Sequence, residues 1–197
     1  MTKPLTAKGA ATRQRIVAGA SAEIREHGLQ TVTLEDICRR TATSKGQLFH
    51  YFPGGRDELL LAVADHEAAR VLDDQQPYLG ALTSWTAWQA WRDAVVARYR
   101  HQGQNCPLGV LLSEVGRQTP ASRAVVTALI GQWQQQVAHG IREMQLATKI
   151  AASVDADRSA AAIVAGIQGG VSIMLSTGEL NHLEAALDSA IEALRTA

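Results

Sequence analysis

Five side chains able to hydrogen-bond to base edges or phosphates fall between positions 44 and 51: Ser44, Lys45, Gln47, His50 and Tyr51. Lys45 brings a mobile charge suited to a phosphate or a base-edge acceptor. Gln47 and His50 can both donate and accept, which is what reading a base edge requires. The hydroxyls of Ser44 and Tyr51 suit phosphate oxygens. Gly46, in their midst, costs up to about 1 kcal/mol against alanine in a helix, and its missing Cβ lets backbone come close to a phosphate. Thr33 and Arg56 flank the set with one hydroxyl and one guanidinium. Bond-making chemistry is not in view. The chain has no HExxH, no Ser/His/Asp order, no glycine loop behind a strand and no paired carboxylates in an apolar setting. Glu114 is the one carboxylate flanked by an apolar run, so no catalytic residue and no cofactor is expected.

Two short helices joined by a tight turn would position these groups. The first starts at an N-cap, Thr33, with Asp36 three residues on as a weak capping box, and Val32 and Ile37 can close a hydrophobic staple across it. It runs over about 34–40, with Leu34, Ile37 and Cys38 inward and Glu35, Arg39 and Arg40 outward. Thr41-Ala42-Thr43 makes the turn, and Ser44-x-x-Gln47 is a fuller capping box for the second helix. Leu48 and Phe52 point inward, and Pro53-Gly54-Gly55 ends the helix.

Residues 12–64, with TRQRIVAGASAEIREHGL followed by TVTLEDICRRTATSKGQLFHYFPGGRDELL, resemble the DNA-binding domain of the TetR (tetracycline-repressor) family of bacterial transcription regulators. About fifty residues match in apolar, glycine and aromatic order, far more than a generic helix-turn-helix demands. Family members usually carry a lysine soon after the Tyr-Phe pair. Here Gly54-Gly55-Arg56 stands there on a longer turn, a departure from the family pattern at the place of the phosphate contact for which Arg56 is the candidate. The resemblance implies a DNA-binding domain at 1–55, a ligand-binding and dimerisation domain at 56–197, a double-stranded operator and a small-molecule effector as partners, and no enzymatic activity.

Charge is distributed accordingly. The 197 residues are neutral overall, but residues 1–56 hold nine Lys/Arg against four Asp/Glu, a net of +5, and residues 57–197 hold ten against fifteen, a net of −5. A basic head on an acidic body is the footprint of a nucleic-acid reader with a second, different domain. Neither an apolar leader nor an uninterrupted run of about 18 apolar residues is present, so a cytoplasmic protein without a membrane span is expected. Cys38 and Cys106 have no metal-like spacing and read as free thiols, with a redox role for Cys106 as the alternative. The six histidines sit at no ligand spacing, and no metal is expected.

Periodicity makes the chain all-α with about nine helices. After a polar arm at 1–11, with Lys3, Lys8, Arg13 and Arg15 placed to touch phosphates or the minor groove, helices are expected at about 11–27, 34–40, 44–52, 56–73, 84–100, 105–116, 119–148, 155–177 and 181–195. Trp85, Trp88 and Trp91, with Trp133, form an unusual aromatic concentration. Core packing explains it; so does a mostly apolar pocket with a few polar groups. The resemblance favours an effector pocket, for which the candidates are Trp88, Trp91, Arg92, Tyr99, Leu111, Glu114, Trp133, Val137 and Gln168. Residues 155–177 are apolar nearly all round and 181–195 carry one sharp apolar stripe. Burial within one body would satisfy both; the resemblance implies that they pair with their copies in a homodimer, and two-fold symmetry then implies a pseudo-palindromic operator. Two other classes compete: an all-α small-molecule-binding protein or enzyme, which has no use for the Ser44–Tyr51 face, and an architectural DNA-binding protein without a pocket.

Overall fold

The computed structural model describes residues 5–103, 115 and 118–197. Every regular element among them is helical: α1 (Ala7–His27), α2 (Leu34–Arg40), α3 (Lys45–Tyr51), α4 (Gly55–Asp73), a 3-10 turn (Leu79–Ala81), α5 (Trp85–Gln102), α6 (Pro120–Leu146), α7 (Ala156–Thr177) and α8 (Asn181–Thr196). Eight α-helices are thus described where about nine are expected. The helix expected at 105–116 lies, apart from Val115, outside the described residues, as do Cys106, Leu111 and Glu114. The fold divides into two compact units. One takes the described residues of Met1–Arg70 and Val110–Val126, the other those of Val71–Gly109 and Thr127–Ala197.

In the first unit α1 begins at Ala7 rather than at 11, a correction to the polar arm expected there. Thr6 is the reason: its hydroxyl accepts from the Gly9 N–H at 3.2 Å, and the alanine-rich turn behind it has good helix propensity. One face of α1 buries Ile16, Val17, Ala20 and Ile24. The expected capping boxes close on both short helices. Thr33 Oγ1 accepts from Asp36 N while Asp36 Oδ2 accepts from Thr33 N, and Ser44 with Gln47 repeats the pattern. Between the two helices Ala42 holds a positive φ of 48°, and Thr43 N reaches back to Cys38 O at 2.9 Å. Leu48 and Phe52 are wholly buried, and the Arg13 guanidinium of α1 lies 4.9 Å above the Phe52 ring.

The second unit is built around α5, the part of α6 from Thr127 onward and the α7–α8 pair. Ser84 caps α5, Asp155 caps α7, and Gly178, at φ 81°, closes α7 in the left-handed region. α7 is long and apolar enough to cross a membrane by length and composition alone. Ile163, Val164, Ile167, Gly170, Val171 and Met174 are nevertheless buried, and a Cβ added at Gly170 would stand 2.5 Å from Leu183 Cα of α8. That close approach is why a glycine stands there. α8 is also tied to α5: Arg92 makes a two-pronged pair with Asp188, both contacts at 2.7 Å, and Arg100 pairs with Glu184 at 3.1 Å.

Candidate nucleic-acid interface

α3 is a two-sided helix of seven residues. Leu48 faces the interior, while Ser44, Lys45, Gly46, Gln47 and His50 are exposed and Tyr51 is half-buried. The face expected to meet DNA is therefore free of the unit's own core. His50 and Tyr51 stack edge to face with centroids 5.0 Å apart. Phe49 adds an apolar group that the sequence reading passed over: 46 % of it is exposed, and an aromatic edge in the major groove suits a thymine methyl. Its signal was legible, because positions 48 and 52 already fill the inner stripe and leave Phe49 outside.

Charged neighbours hold part of the set in place. Lys45 Nζ of α3 forms an ion pair with Glu35 Oε1 of α2, both side chains being mostly in water. The Lys45 hydrogen bond lowers the Glu35 pKa, and the same bond raises that of Lys45. Thr33 is occupied as a cap. Its hydroxyl, then its backbone N–H, then the Arg39 guanidinium hold the Asp36 carboxyl down at about 2. Arg40 joins α2 to α1 through Glu23 at 2.6 Å and Glu26. Those two carboxylates and His27 come within metal-ligand distance of each other, yet Arg40 already occupies both. Arg56, the flanking guanidinium, is half-buried. Its guanidinium donates to Val32 O and Leu29 O, both at 2.7 Å, and so braces the turn that leads into α2.

The candidate effector residues separate into three groups. Trp88, Trp91, Trp133 and Val137 are fully buried and Tyr99 nearly so. Trp88 and Trp91 meet edge to face at 5.7 Å, and Trp91 Nε1 donates to Gln75 Oε1 at 3.1 Å. Among the described residues, Trp88 Nε1, Trp133 Nε1 and Gln168 Oε1 are buried without a hydrogen-bond partner. Arg92 is engaged with Asp188, and Leu111 and Glu114 are outside the described residues. The same unit carries a groove of about 290 Å³ lined by Leu79, Gly80, Gln132, Gln135, Gln136 and His139. Sequence periodicity had singled out neither this groove nor Gln75.

Comparison with known proteins agrees with this arrangement. Residues 16–63 match bacterial regulatory proteins of the tetR family, and residues 85–190 match the tetracyclin repressor-like C-terminal domain. An HTH-type transcriptional regulator of Mycobacterium tuberculosis is 27 % identical over 148 residues, 66 % of this chain and 71 % of that protein. A TetR transcriptional regulator from Chloroflexus aurantiacus superposes with a TM-score of 0.82 at 25 % identity, covering 97 % of this chain and 98 % of its own. A SmeT–triclosan complex shares the fold at 19 % identity, with a TM-score of 0.72 over 93 % of this chain and 91 % of that one. Both units thus carry the family's pattern, and the chain belongs to the TetR family of ligand-responsive, non-enzymatic transcriptional regulators.

Proposed function

We propose that this regulator is a repressor that binds a pseudo-palindromic operator as a homodimer and leaves it when a small apolar or aromatic molecule binds. The observation that carries the reading is α3: Leu48 and Phe52 anchor it with no exposure, while Lys45, Gln47 and His50 stand outward on the other side. Lys45 holds a phosphate or a base edge, Gln47 and His50 read bases, and Ser44 and Tyr51 bond phosphates. Thr33 and Arg56 act chiefly by fixing α2. The regulator would work in the cytoplasm, where its operator is.

The dimer is supported by α7 and α8. Beyond the stripe that they bury against each other, Ala161, Ala162 and Ile173 remain exposed, and an apolar groove of about 180 Å³ runs along Ile163, Ala190, Ala193 and Leu194. A second copy covers such a face with the same residues. The effector reading is supported by the buried tryptophans. Two unpartnered indole N–H groups and the Gln168 carbonyl fit a flat apolar molecule that carries acceptors for the indoles and a donor for the amide.

The test is selection of genomic fragments by the purified protein at two salt concentrations, followed by sequencing. Recovery of a few fragments sharing an inverted repeat, and their release by a ligand that quenches tryptophan fluorescence, is the expected result. Weak binding that salt erases, with no shared motif, refutes the operator. A ligand that binds without changing operator affinity refutes the switch, because linkage requires the two to be coupled.

A further inference from the structure

We infer that Glu35 is a specificity-determining residue that holds Lys45 back from DNA until the operator supplies the right base. The inference rests on the reading of α3 as the DNA-contacting helix. Glu35 is the second residue of α2, with 69 % of its side chain exposed, and it faces α3 rather than its own helix's cation Arg39, which pairs with Asp36 instead. The unit thus places one carboxylate directly against the lysine best able to reach a phosphate.

That position has opposite consequences on two kinds of DNA. On an arbitrary duplex, affinity comes from cations that neutralise phosphates and release counterions. A lysine already paired to a carboxylate contributes less of this, and the carboxylate itself is repelled by the phosphates. On the operator, docking α3 in the major groove gives Lys45 an acceptor and turns the Glu35 carboxylate toward an exocyclic amino group, cytosine N4 or adenine N6. Glutamate and aspartate accept hydrogen bonds from such groups. The carboxylate is then satisfied only where the sequence offers that donor. Specificity of this kind is obtained by penalising wrong partners. The excess of cations at the head, net +5 over residues 1–56, makes such a penalty useful, since it would otherwise bind any duplex.

The experiment compares the full-length wild type with Glu35→Gln, Lys45→Ala and the double variant. Binding is measured on a recovered operator fragment and on a random-sequence duplex, across a salt series. Glu35→Gln keeps the side chain's size at an exposed position. It is expected to tighten binding to the random duplex by about threefold to tenfold and to steepen the salt slope there by about 0.9, one more phosphate neutralised. Operator affinity gains less, so the ratio of operator to random binding falls. In the Lys45→Ala background most of the gain on random duplex disappears, leaving only the relief of the carboxylate's own repulsion from the phosphates. An unchanged or rising ratio overturns the inference. So does a gain that persists undiminished without Lys45, since Glu35 would then act by its own charge alone. The random-duplex arm needs no operator: absence of a Lys45-dependent gain there sinks the inference by itself. Failure of the wild type to select any sequence refutes instead the operator reading on which it rests.

Discussion

Arg25 on α1 and Glu67 on α4 meet at 2.7 Å, with the Glu67 side chain wholly out of solvent. The Ser21 hydroxyl donates to the same carboxylate oxygen, and Arg70 stands 3.4 Å from it. A buried carboxylate is tolerated only while its partners remain, and losing the main one leaves a charge that water cannot reach. Arg25→Ala should therefore destabilise the protein by about 3–5 kcal/mol. Glu67→Gln keeps an acceptor for Ser21 and leaves Arg25, 15 % exposed, able to find water, so its cost should be nearer 1–2 kcal/mol. Urea denaturation ranks the two. An equal or reversed order would show that the carboxylate is not the costly group.

The turn between α2 and α3 carries a strained residue. Ala42 has φ 48°, where a Cβ crowds the following carbonyl and costs roughly 1–2 kcal/mol. Glycine removes that cost but gives the unfolded chain more freedom, worth about 0.5–1 kcal/mol. Ala42 is exposed, so no packing is lost with its methyl. Ala42→Gly should stabilise by about 0.5–1 kcal/mol, read as a higher urea midpoint at constant slope. A lower midpoint would refute the strain argument.

How far the sequence carried is itself explained by distance along the chain. The Thr33–Asp36 and Ser44–Gln47 boxes lie three residues apart and were legible, as were the inward Leu48 and Phe52. The pairs that set the electrostatics join positions far apart: Glu35 with Lys45, Arg25 with Glu67, Arg92 with Asp188. Periodicity tells which face a residue takes and is silent on which partner waits there. Arg92 is thus placed at a pocket and Arg56 at a phosphate with no sign of the Asp188 carboxylate or the two carbonyls that they also bond. Glu67 was readable in part, because it falls on the apolar stripe Leu60, Val63, Ala64 and Val71. The early start of α1 was missed because an alanine/glycine run after a proline resembles a tail until Thr6 is recognised as a cap.

Asp36 gives the head a defined acid response. Its carboxyl titrates at about 2 in the folded state because Thr33 bonds the ionised form through both its hydroxyl and its N–H, with Arg39 adding a charge. The unfolded value is near 3.9. The folded value is the lower one, so this stabilisation is fully present above about pH 4 and is lost as pH falls toward 2, where the unfolded chain binds more protons. Thermal midpoints measured across that window should fall less steeply for Asp36→Asn than for wild type. Equal slopes would mean that the cap does not hold the ionised form.

Two adjacent glycines of α7 should respond in opposite directions. A Cβ at Gly170 would meet the Leu183 backbone at 2.5 and 2.8 Å, while one at Gly169 meets nothing within 4 Å. Gly170→Ala must separate α7 from α8 and should cost about 1–3 kcal/mol, the usual range for overpacking. Gly169→Ala adds helix propensity in open space and should gain up to about 1 kcal/mol. Thermal unfolding of the two variants at one protein concentration distinguishes them. A destabilised Gly169→Ala would show that its open face is covered in solution, as the proposed dimer allows, and a concentration series would then separate dimer loss from monomer unfolding.

Gly46 separates what the fold requires from what DNA requires. The nearest atom to a Cβ built there is Ser44 Oγ, at 3.9 Å, so nothing in the protein excludes a side chain. Its φ is not in the left-handed region, and it sits one residue into α3, where alanine would help the helix. A glycine that the fold disfavours and the packing does not need is explained by the partner: backbone at this position comes within reach of a phosphate, and a methyl would hold it off. Gly46→Ala should therefore raise stability by up to about 1 kcal/mol while weakening operator binding severalfold. The two readouts must diverge. If affinity is unchanged while stability rises, the backbone of α3 does not approach DNA at Gly46, and the helix docks by Lys45, Gln47 and His50 alone. If stability falls, the glycine serves the fold after all, and the argument for close approach loses its footing.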